Sequence, residues 1–257
     1  MTQHYGRPGL TGSIGQSGLP PALAAAAAPP STLLNGLTAW YKLDETSGVR
    51  LDSTANSYDL SDNNTVGSTT GLIGNAARFD RTASEYLLAN INPSTFWAQQ
   101  TDYTVSFWLY VDSAVHVNGQ YFMEGRLVNS ASFYVRWVSS GSTIEGAFYA
   151  TNGGVRATAE NVAGDLVDNA WNHIVLWYDS SDSKGRMQVN LGTPNVTSAL
   201  PADSRAMDKL AIGSSAVPSV YQNCDIDLYG IWGARILTSD EITELNNSGS
   251  GKDYDFS

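Results

Sequence analysis

A glycine at every third position is the feature that most constrains how this chain can fold. Gly6, Gly9, Gly12, Gly15 and Gly18 follow one another at this spacing near the N-terminus. Three polyproline-like strands can wind into a triple helix only with such a repeat, because no side chain fits at the crowded axis. The repeat therefore predicts a homotrimer whose three copies meet through this segment.

The repeat belongs to an N-terminal segment that composition places at residues 1–35. An alanine run bracketed by proline pairs, PPALAAAAAPP, follows it at residues 20–30, and a helix that short is marginal in water. We interpret residues 1–35 as a collagen-like anchoring arm, with a linker of no fixed structure as the alternative. The segment lacks the basic start and the long apolar run of a secretory signal. We therefore expect no classical export.

Composition disfavours several classes of function. A formal net charge of −11 at pH 7 argues against nucleic acid as a partner, because phosphate contacts require clustered lysine and arginine. No run of about 18 apolar residues is present, so we expect no membrane-spanning segment. Cys224 is the single cysteine, which excludes an internal disulfide and indicates a small buried side chain.

Residues 36–257 have the pattern of an all-β domain. In YTVSFWLYV (103–111), alternate residues face opposite sides, with Trp108 and Tyr110 on the face opposite Phe107. Similar short runs recur, separated by clusters of Gly, Ser, Asn and Asp, as in a two-sheet antiparallel jelly-roll sandwich. Near the end, Thr238 and Glu241 fit a capping box and predict one short C-terminal helix.

Four segments, in order, resemble the laminin G-like, concanavalin A-like jelly-roll family. They are residues 39–56 (AWYKLDETSG followed by DSTAN), 74–86 with Phe79-Asp80, 102–108 with 171–175, and 225–242. Arg81 replaces the glycine that usually follows the aspartate in the second segment. The resemblance covers about residues 37–250 and implies two antiparallel sheets, one of them concave. It implies much less about the ligand, because fold does not fix function.

Catalysis is not expected. Glycoside hydrolases of this architecture use paired carboxylates, which in one branch form a Glu-x-Asp-x-x-Glu strand motif that this sequence lacks. The three histidines make no Ser/His/Asp or metal-ligand pattern. We therefore expect a protein without enzymatic activity that requires no cofactor. A glycosidase acting through Asp225 or Asp227 is the enzymatic alternative.

The resemblance also implies candidate binding residues. Calcium binds to related domains through carboxylate and carbonyl oxygens, and here Asp80 and Asp227 match the aspartates of the relevant turn and strand. Ordinary surface carboxylates are the alternative. Trp108 and Tyr110 are candidates for stacking on a sugar ring, with burial in the core as the alternative.

Two functions agree with these observations. The first is a structural virion component of a bacteriophage or similar virus, either a capsid decoration or an appendage protein. The arm would anchor it to a larger assembly formed in the host cytoplasm, and the domain would face outward at the virion surface and adhere to host glycans. The alternative is a carbohydrate-binding module or adhesin of a bacterium, located extracellularly or on the cell surface.

Overall fold

The computed structural model describes residues 1–2, 31–90, 101–127, 130–138, 143–150, 155–161, 164–201 and 207–256. Two units are distinguished, Met1–Pro30 and Ser31–Ser257. The five repeat glycines, Gly6 to Gly18, lie outside the described residues. The second unit begins slightly upstream of residue 36, the boundary that composition predicts, because Leu33 is already buried.

Fifteen strands and one α-helix are present in the described part of the second unit. The first strands are β1 Leu37–Tyr41, β2 Ser61–Asn63, β3 Gly67–Thr70, β4 Asn75–Phe79, β5 Tyr86–Asn90, β6 Tyr103–Tyr110, β7 Tyr121–Leu127 and β8 Ser130–Trp137. The remaining elements are β9 Ile144–Ala150, β10 Val155–Glu160, β11 Trp171–Asp179, β12 Lys184–Val189, β13 Asn195–Val196, β14 Met207–Ile212, β15 Cys224–Gly233 and α1 Ser239–Asn246. No described helix is long and apolar enough to cross a bilayer.

The strands pair into two antiparallel sheets, which confirms the predicted sandwich. The first sheet has the order β13-β12-β11-β6-β15-β4-β3, and β1 also pairs with β15. The second has the order β10-β9-β8-β7-β14-β5-β2. Consecutive strands pair toward the edges, as in β3 with β4 and β9 with β10, and the pairs at the centre, such as β6 with β15 and β7 with β14, join strands that are distant in sequence. There, cross-strand register decides which side chains meet.

The main core lies between the two sheets and follows from period-two alternation. In β6, Val105, Phe107 and Leu109 are fully buried and belong to the same cluster as Phe133 and Val135 of β8. Burying side chains of this size removes about 1.5–3 kcal/mol of unfavourable hydration each. This interior fixes the inward face of every central strand and leaves the alternate residues for the outer faces.

A second, smaller core covers part of the outer face of the first sheet. Helix α1 places Ile242 and Leu245 against this face, and the cluster also includes Trp40, Trp232 and Phe256. The ring centroids of Trp40 and Phe256 are 4.9 Å apart in an edge-to-face arrangement. The helix and the C-terminal residues therefore shield one portion of a surface that the strand pattern alone would leave exposed.

The point where the chain enters this unit is tightly held. The indole nitrogen of Trp232 donates to the carbonyl of Leu33 at 2.7 Å. Arg235 donates to the carbonyl of Thr32 at 3.0 Å, and both Arg235 and Thr32 also bond to the carboxylate of Glu241. Residues 31–33 are thus fixed to β15 and to the first turn of α1.

The capping box of α1 predicts a matched pair of stability effects. Thr238 accepts a hydrogen bond from the Glu241 amide and Glu241 bonds back to Thr238, whereas Thr243 is exposed on the same helix. Thr238→Ala should lower the free energy of unfolding by about 1 kcal/mol, measured by urea denaturation. Thr243→Ala should have a clearly smaller effect; equal losses would contradict the capping role.

Candidate functional site

The outer face of β6 changes from covered to open along its length. At the Thr104 end, the hydroxyl of Thr104 donates to the Arg235 carbonyl and accepts from the Leu237 amide, each at 3.1 Å. Six residues further along the strand, Tyr110 is only half-buried. The open end of the face is therefore about 20 Å from the covered end at 3.4 Å per residue.

Four side chains form a row across the open end. Asp225 of β15 pairs in register with Arg78 of β4 on one side and with Tyr110 of β6 on the other. Tyr110 in turn pairs with Trp171 of β11. Directly opposite side chains on one face of a sheet lie close enough to interact. Register thus aligns a cation, a carboxylate and two aromatic rings.

The row is held by direct contacts. Arg78 donates from Nε and Nη2 to the two carboxylate oxygens of Asp225, both at 2.9 Å. The hydrogen bond that Arg78 donates to Asp225 raises the pKa of the Arg78 guanidinium, whose side chain is 57% exposed. The rings of Tyr110 and Trp171 meet edge to face at 5.7 Å. A bidentate pair orients the guanidinium, so its remaining surface faces solvent in a fixed geometry.

A groove of about 550 Å³ opens beside this row. We call it the open groove; its polar and aromatic lining includes Arg78, Asp80, Tyr110, Asp112, Asn223 and Asp225. Asp80 and Asp112 are exposed, and hydrogen bonds from Thr82 lower the pKa of Asp80, which keeps it ionised. The groove therefore presents hydroxyl-binding carboxylates, an amide and a guanidinium next to an aromatic ring.

The prediction of sugar stacking is wrong for Trp108. This indole is 3% exposed, and its ring stacks on His173 with centroids 4.9 Å apart. It belongs to the small core beneath α1, so no ligand ring can reach it. Tyr110, two residues along the same face, lines the open groove instead. Trp108 and Tyr110 lie on the same face of β6, and their exposure differs because the small core covers only Trp108.

His173 and Cys224 are both buried. His173 is 1% exposed, with Nε2 at 2.8 Å from the hydroxyl of Ser106. Burial lowers the pKa of His173 to about 3, so the imidazole is neutral at physiological pH. Cys224 is 6% exposed, as expected, and burial raises the pKa of its thiol. Cys224 lies in the wall of the open groove, and its raised pKa disfavours the reactive thiolate.

Asp80 and Asp227 do not share one site. Phe79 pairs with Cys224 and Ala77 with Ile226, so the two aspartates lie about four positions apart along the paired strands, or roughly 13 Å. Asp227 is fully buried, and accepts from the amides of Leu72 at 2.7 Å and Leu228 at 2.8 Å. Across the described ranges, no three His, Cys, Asp or Glu residues are grouped to hold a metal. Calcium binding at either residue stays a prediction.

Sequence reasoning missed Arg78 and Trp171 as site residues. They lie on β4 and β11, far apart in the sequence, and enter the row only through the register of β15 and β6. The available signal was the alternation within each strand, which assigns Arg78 and Trp171 to the outward-facing side. This alternation predicts which face of the sheet a residue lies on, but not which residues of the adjacent strands lie next to it.

Comparison with known proteins identifies the family. Residues 81–243 match the family model Laminin_G_3, described as the concanavalin A-like lectin/glucanases superfamily. Because this match includes more than half of the residues, the chain belongs to that superfamily. Comparison with curated protein sequences gives no significant match.

Solved structures of similar fold are binding domains of larger length. One is the binding domain of Paraclostridial Mosquitocidal Protein 1, with 13% identity, a TM-score of 0.64, and coverage of 83% of this chain and 52% of that one. Another is the botulinum neurotoxin serotype D binding domain, with 13% identity, a TM-score of 0.62 and the same coverage. A third, the binding domain of botulinum neurotoxin DC in complex with SialylT, has 12% identity, a TM-score of 0.64 and coverage of 83% and 52%. This chain thus spans about half of their length, and at these identities the likeness shows the fold alone.

Burial of Asp227 predicts a pH dependence of stability. Burial raises the pKa of this carboxyl to about 7 although three backbone amides donate to it. The folded state then holds a proton that the unfolded state releases near pH 4, so the contribution of Asp227 to stability decreases as pH rises from about 4 through 7. Between pH 5 and 8 this group should remove about 2–3 kcal/mol from the free energy of unfolding.

Urea denaturation followed by tryptophan fluorescence at pH 5 and pH 8 measures this effect. Asp227→Asn cannot titrate, so its change in unfolding free energy from pH 5 to pH 8 should differ from the wild-type change by about 2–3 kcal/mol toward greater stability at pH 8, even though the variant is destabilised overall. The net wild-type change is smaller than this, because the buried neutral His173 makes folding less favourable at pH 5 than at pH 8. Asp240→Asn, an exposed change in α1, should retain the wild-type difference. An unchanged difference in Asp227→Asn would assign the pH dependence to other groups.

Proposed function

We propose that this chain is a non-catalytic structural component of a virion, anchored by its N-terminal arm, whose laminin G-like domain binds glycans through the open groove. The observation that carries the glycan-binding proposal is the row of Arg78, Asp225, Tyr110 and Trp171 at the uncovered end of the first sheet. Aromatic faces pack on the apolar side of sugar rings, and charged groups make strong hydrogen bonds to hydroxyls. The groove combines both.

The chemistry of the groove favours binding over hydrolysis. A glycosidase needs a carboxylic acid whose pKa is raised, opposite a second carboxylate at a set distance. Asp225 is instead paired with Arg78 through both of its oxygens, and the pKa of Asp80 is lowered. Asp225 therefore accepts hydrogen bonds from a guanidinium, and Asp80 stays ionised, so both sets of oxygens act as acceptors suited to holding sugar hydroxyls.

The position of the groove supports a display role. Residues 31–33 enter the domain beside Trp232 and Arg235, and Trp232 pairs with Thr104 at the covered end of β6. Tyr110 lies at the other end of the same strand. A domain held where the chain enters would therefore present the groove away from its attachment.

The assembly part of the proposal rests on the glycine repeat. A three-residue glycine period has a structural role only when three chains wind together, so we propose a homotrimer docked on a capsid or an appendage at the virion surface after assembly in the host cytoplasm.

A bacterial carbohydrate-binding module or adhesin at the cell surface is the second candidate, favoured by the same groove. Binding domains among the structural neighbours support a binding role in either setting. Immunogold electron microscopy of purified particles distinguishes the two.

Glycan binding is tested with the full chain on an array of neutral and acidic oligosaccharides. For the strongest neutral ligand, Tyr110→Ala and Arg78→Ala should each raise the dissociation constant at least tenfold, because a stacking ring or a charged donor is lost. Calorimetry in calcium and in EDTA tests the calcium prediction at Asp80, which lines this groove: a lower affinity in EDTA would support a bound ion, and an unchanged affinity would contradict it. Melting temperatures confirm that the variants fold.

A matched control is Tyr86→Ala, which removes a half-buried tyrosine on the second sheet and should leave the affinity unchanged. Equal affinities for Tyr110→Ala and the wild type would overturn the groove as the binding site. Turnover of a polysaccharide that disappears in Asp225→Asn would support the glycosidase alternative instead.

Removal of residues 1–30 tests the anchoring role, because the second unit begins at Ser31. The full chain should be trimeric by analytical ultracentrifugation, and the shortened chain should be folded and monomeric. Gly12→Ala should weaken the trimer by introducing a Cβ at the axis, whereas Thr11→Ala, off the glycine positions, should not. A monomeric full chain, or a shortened chain that remains trimeric, would contradict trimerisation through the repeat.

A further inference from the structure

The outer face of the second sheet carries a polar cluster that the open groove does not use. On β8, Phe133 and Val135 point into the core, so Tyr134 and Arg136 point outward. Arg136 pairs in register with Glu145 of β9, and Arg156 of β10 lies on the next strand. We call Tyr134, Arg136, Glu145 and Arg156 the arginine cluster.

One carboxylate organises this cluster. Oε1 of Glu145 accepts from Nε of Arg136 at 2.6 Å and from the hydroxyl of Tyr134 at 3.3 Å, and Nη2 of Arg156 also donates to it. Both guanidinium groups lie over the Tyr134 ring, with centroid distances of 5.1 Å for Arg136 and 5.6 Å for Arg156. Cation–π contact and ion pairing together fix the two cations side by side.

The arginine cluster contains buried polar groups on an outward-facing surface. Glu145 and Tyr134 are 3% and 1% exposed although they lie on an outward face, and burying a carboxylate and a hydroxyl is unfavourable unless both are bonded. The two arginine side chains remain 26% and 35% exposed. A buried acceptor thus holds two accessible donors in position.

The donors retain capacity for a ligand. Among the described residues, Arg136 donates from Nε to Glu145 and also hydrogen-bonds to Tyr121, and Arg156 donates from Nη2 to Glu145. Each guanidinium has five N–H donors, so several of them remain for a ligand.

Glu160 and Glu124 pair in register with Glu145 and Tyr134 on the same face, and Arg126 lies 4.0 Å from Glu124. The guanidinium donors, and not a net positive charge, are therefore what this face offers a ligand. Tyr121 and Tyr149 flank Tyr134, with ring centroids at 4.7 Å and 5.7 Å, and both are half-buried.

We propose that the arginine cluster binds a carboxylate-bearing sugar, the acidic unit of a glycan, at a site separate from the open groove. Paired guanidinium groups match the geometry of a carboxylate, and the flanking tyrosines offer ring faces and a hydroxyl to the remainder of the sugar. Uronic and sialic acids share this chemistry. The inference does not rest on the open groove, which lies on the other sheet and is lined by carboxylates.

The test titrates the full chain with a hyaluronan hexasaccharide, with 3′-sialyllactose and with neutral lactose, by calorimetry at low and at physiological salt. At least one acidic sugar should bind, and its affinity should decrease as salt is raised. Any affinity for lactose should be the same in the wild type and in the arginine variants. Arg156→Gln and Arg136→Gln should each weaken acidic-sugar binding at least tenfold. Arg156→Gln is the safer variant, because Arg136 still neutralises Glu145.

Arg186→Gln is the matched control, since Arg186 pairs with Asp182 on the first sheet, and it should bind as the wild type does. Tyr110→Ala should also leave acidic-sugar binding intact, which separates failure of this site from failure of the open groove. Binding of hyaluronan alone assigns a uronic acid, and binding of sialyllactose alone assigns a sialic acid. Binding of neither sugar, or equal binding by folded Arg156→Gln and wild type, overturns the proposal.

Discussion

The register of β15 between β4 and β6 is the constraint on which the structure depends. On the inner face, this strand contributes Ile226 and Ile231 to the main core. On the outer face, Trp232 holds the carbonyl of Leu33 at one end, and Asp225 lies between Arg78 and Tyr110 near the other. A shift of one residue would exchange the two faces, so one strand determines the core, the point of chain entry and the groove.

An irregularity in the same strand explains its buried acid. The register with β6 shifts between Asp227 and Gly230, and Leu228 has a positive φ of 48°, which a non-glycine residue rarely adopts. At this bulge Asp227 turns toward the loop after β3 and accepts from the Leu72 and Ile73 amides. The carboxylate therefore joins a bulged central strand to a neighbouring turn, a structural role that its alternation with hydrophobic residues did not reveal.

The two outer faces of the sandwich differ in charge and in cover. On the first sheet, α1 and the C-terminal residues cover the face from the Thr104 end of β6 as far as Trp108, and the uncovered end carries carboxylates with one paired arginine. On the second sheet, two arginines share one buried glutamate. Under the two proposals, the first face would bind sugar hydroxyls through carboxylate acceptors, and the second face would bind a sugar carboxylate through guanidinium donors.

The sequence by itself determined the period-two faces, the sandwich and the start of α1, because alternation and capping are local properties of consecutive residues. The alternation in β6 placed Trp108 and Tyr110 on one face, and the resemblance of four segments indicated the family. Only the tertiary structure decided that Trp108 is covered while Tyr110 is open, and that Arg78 and Trp171 join its row. Exposure and cross-strand neighbours depend on what packs against a face and on register, and both are set by residues far away in the chain.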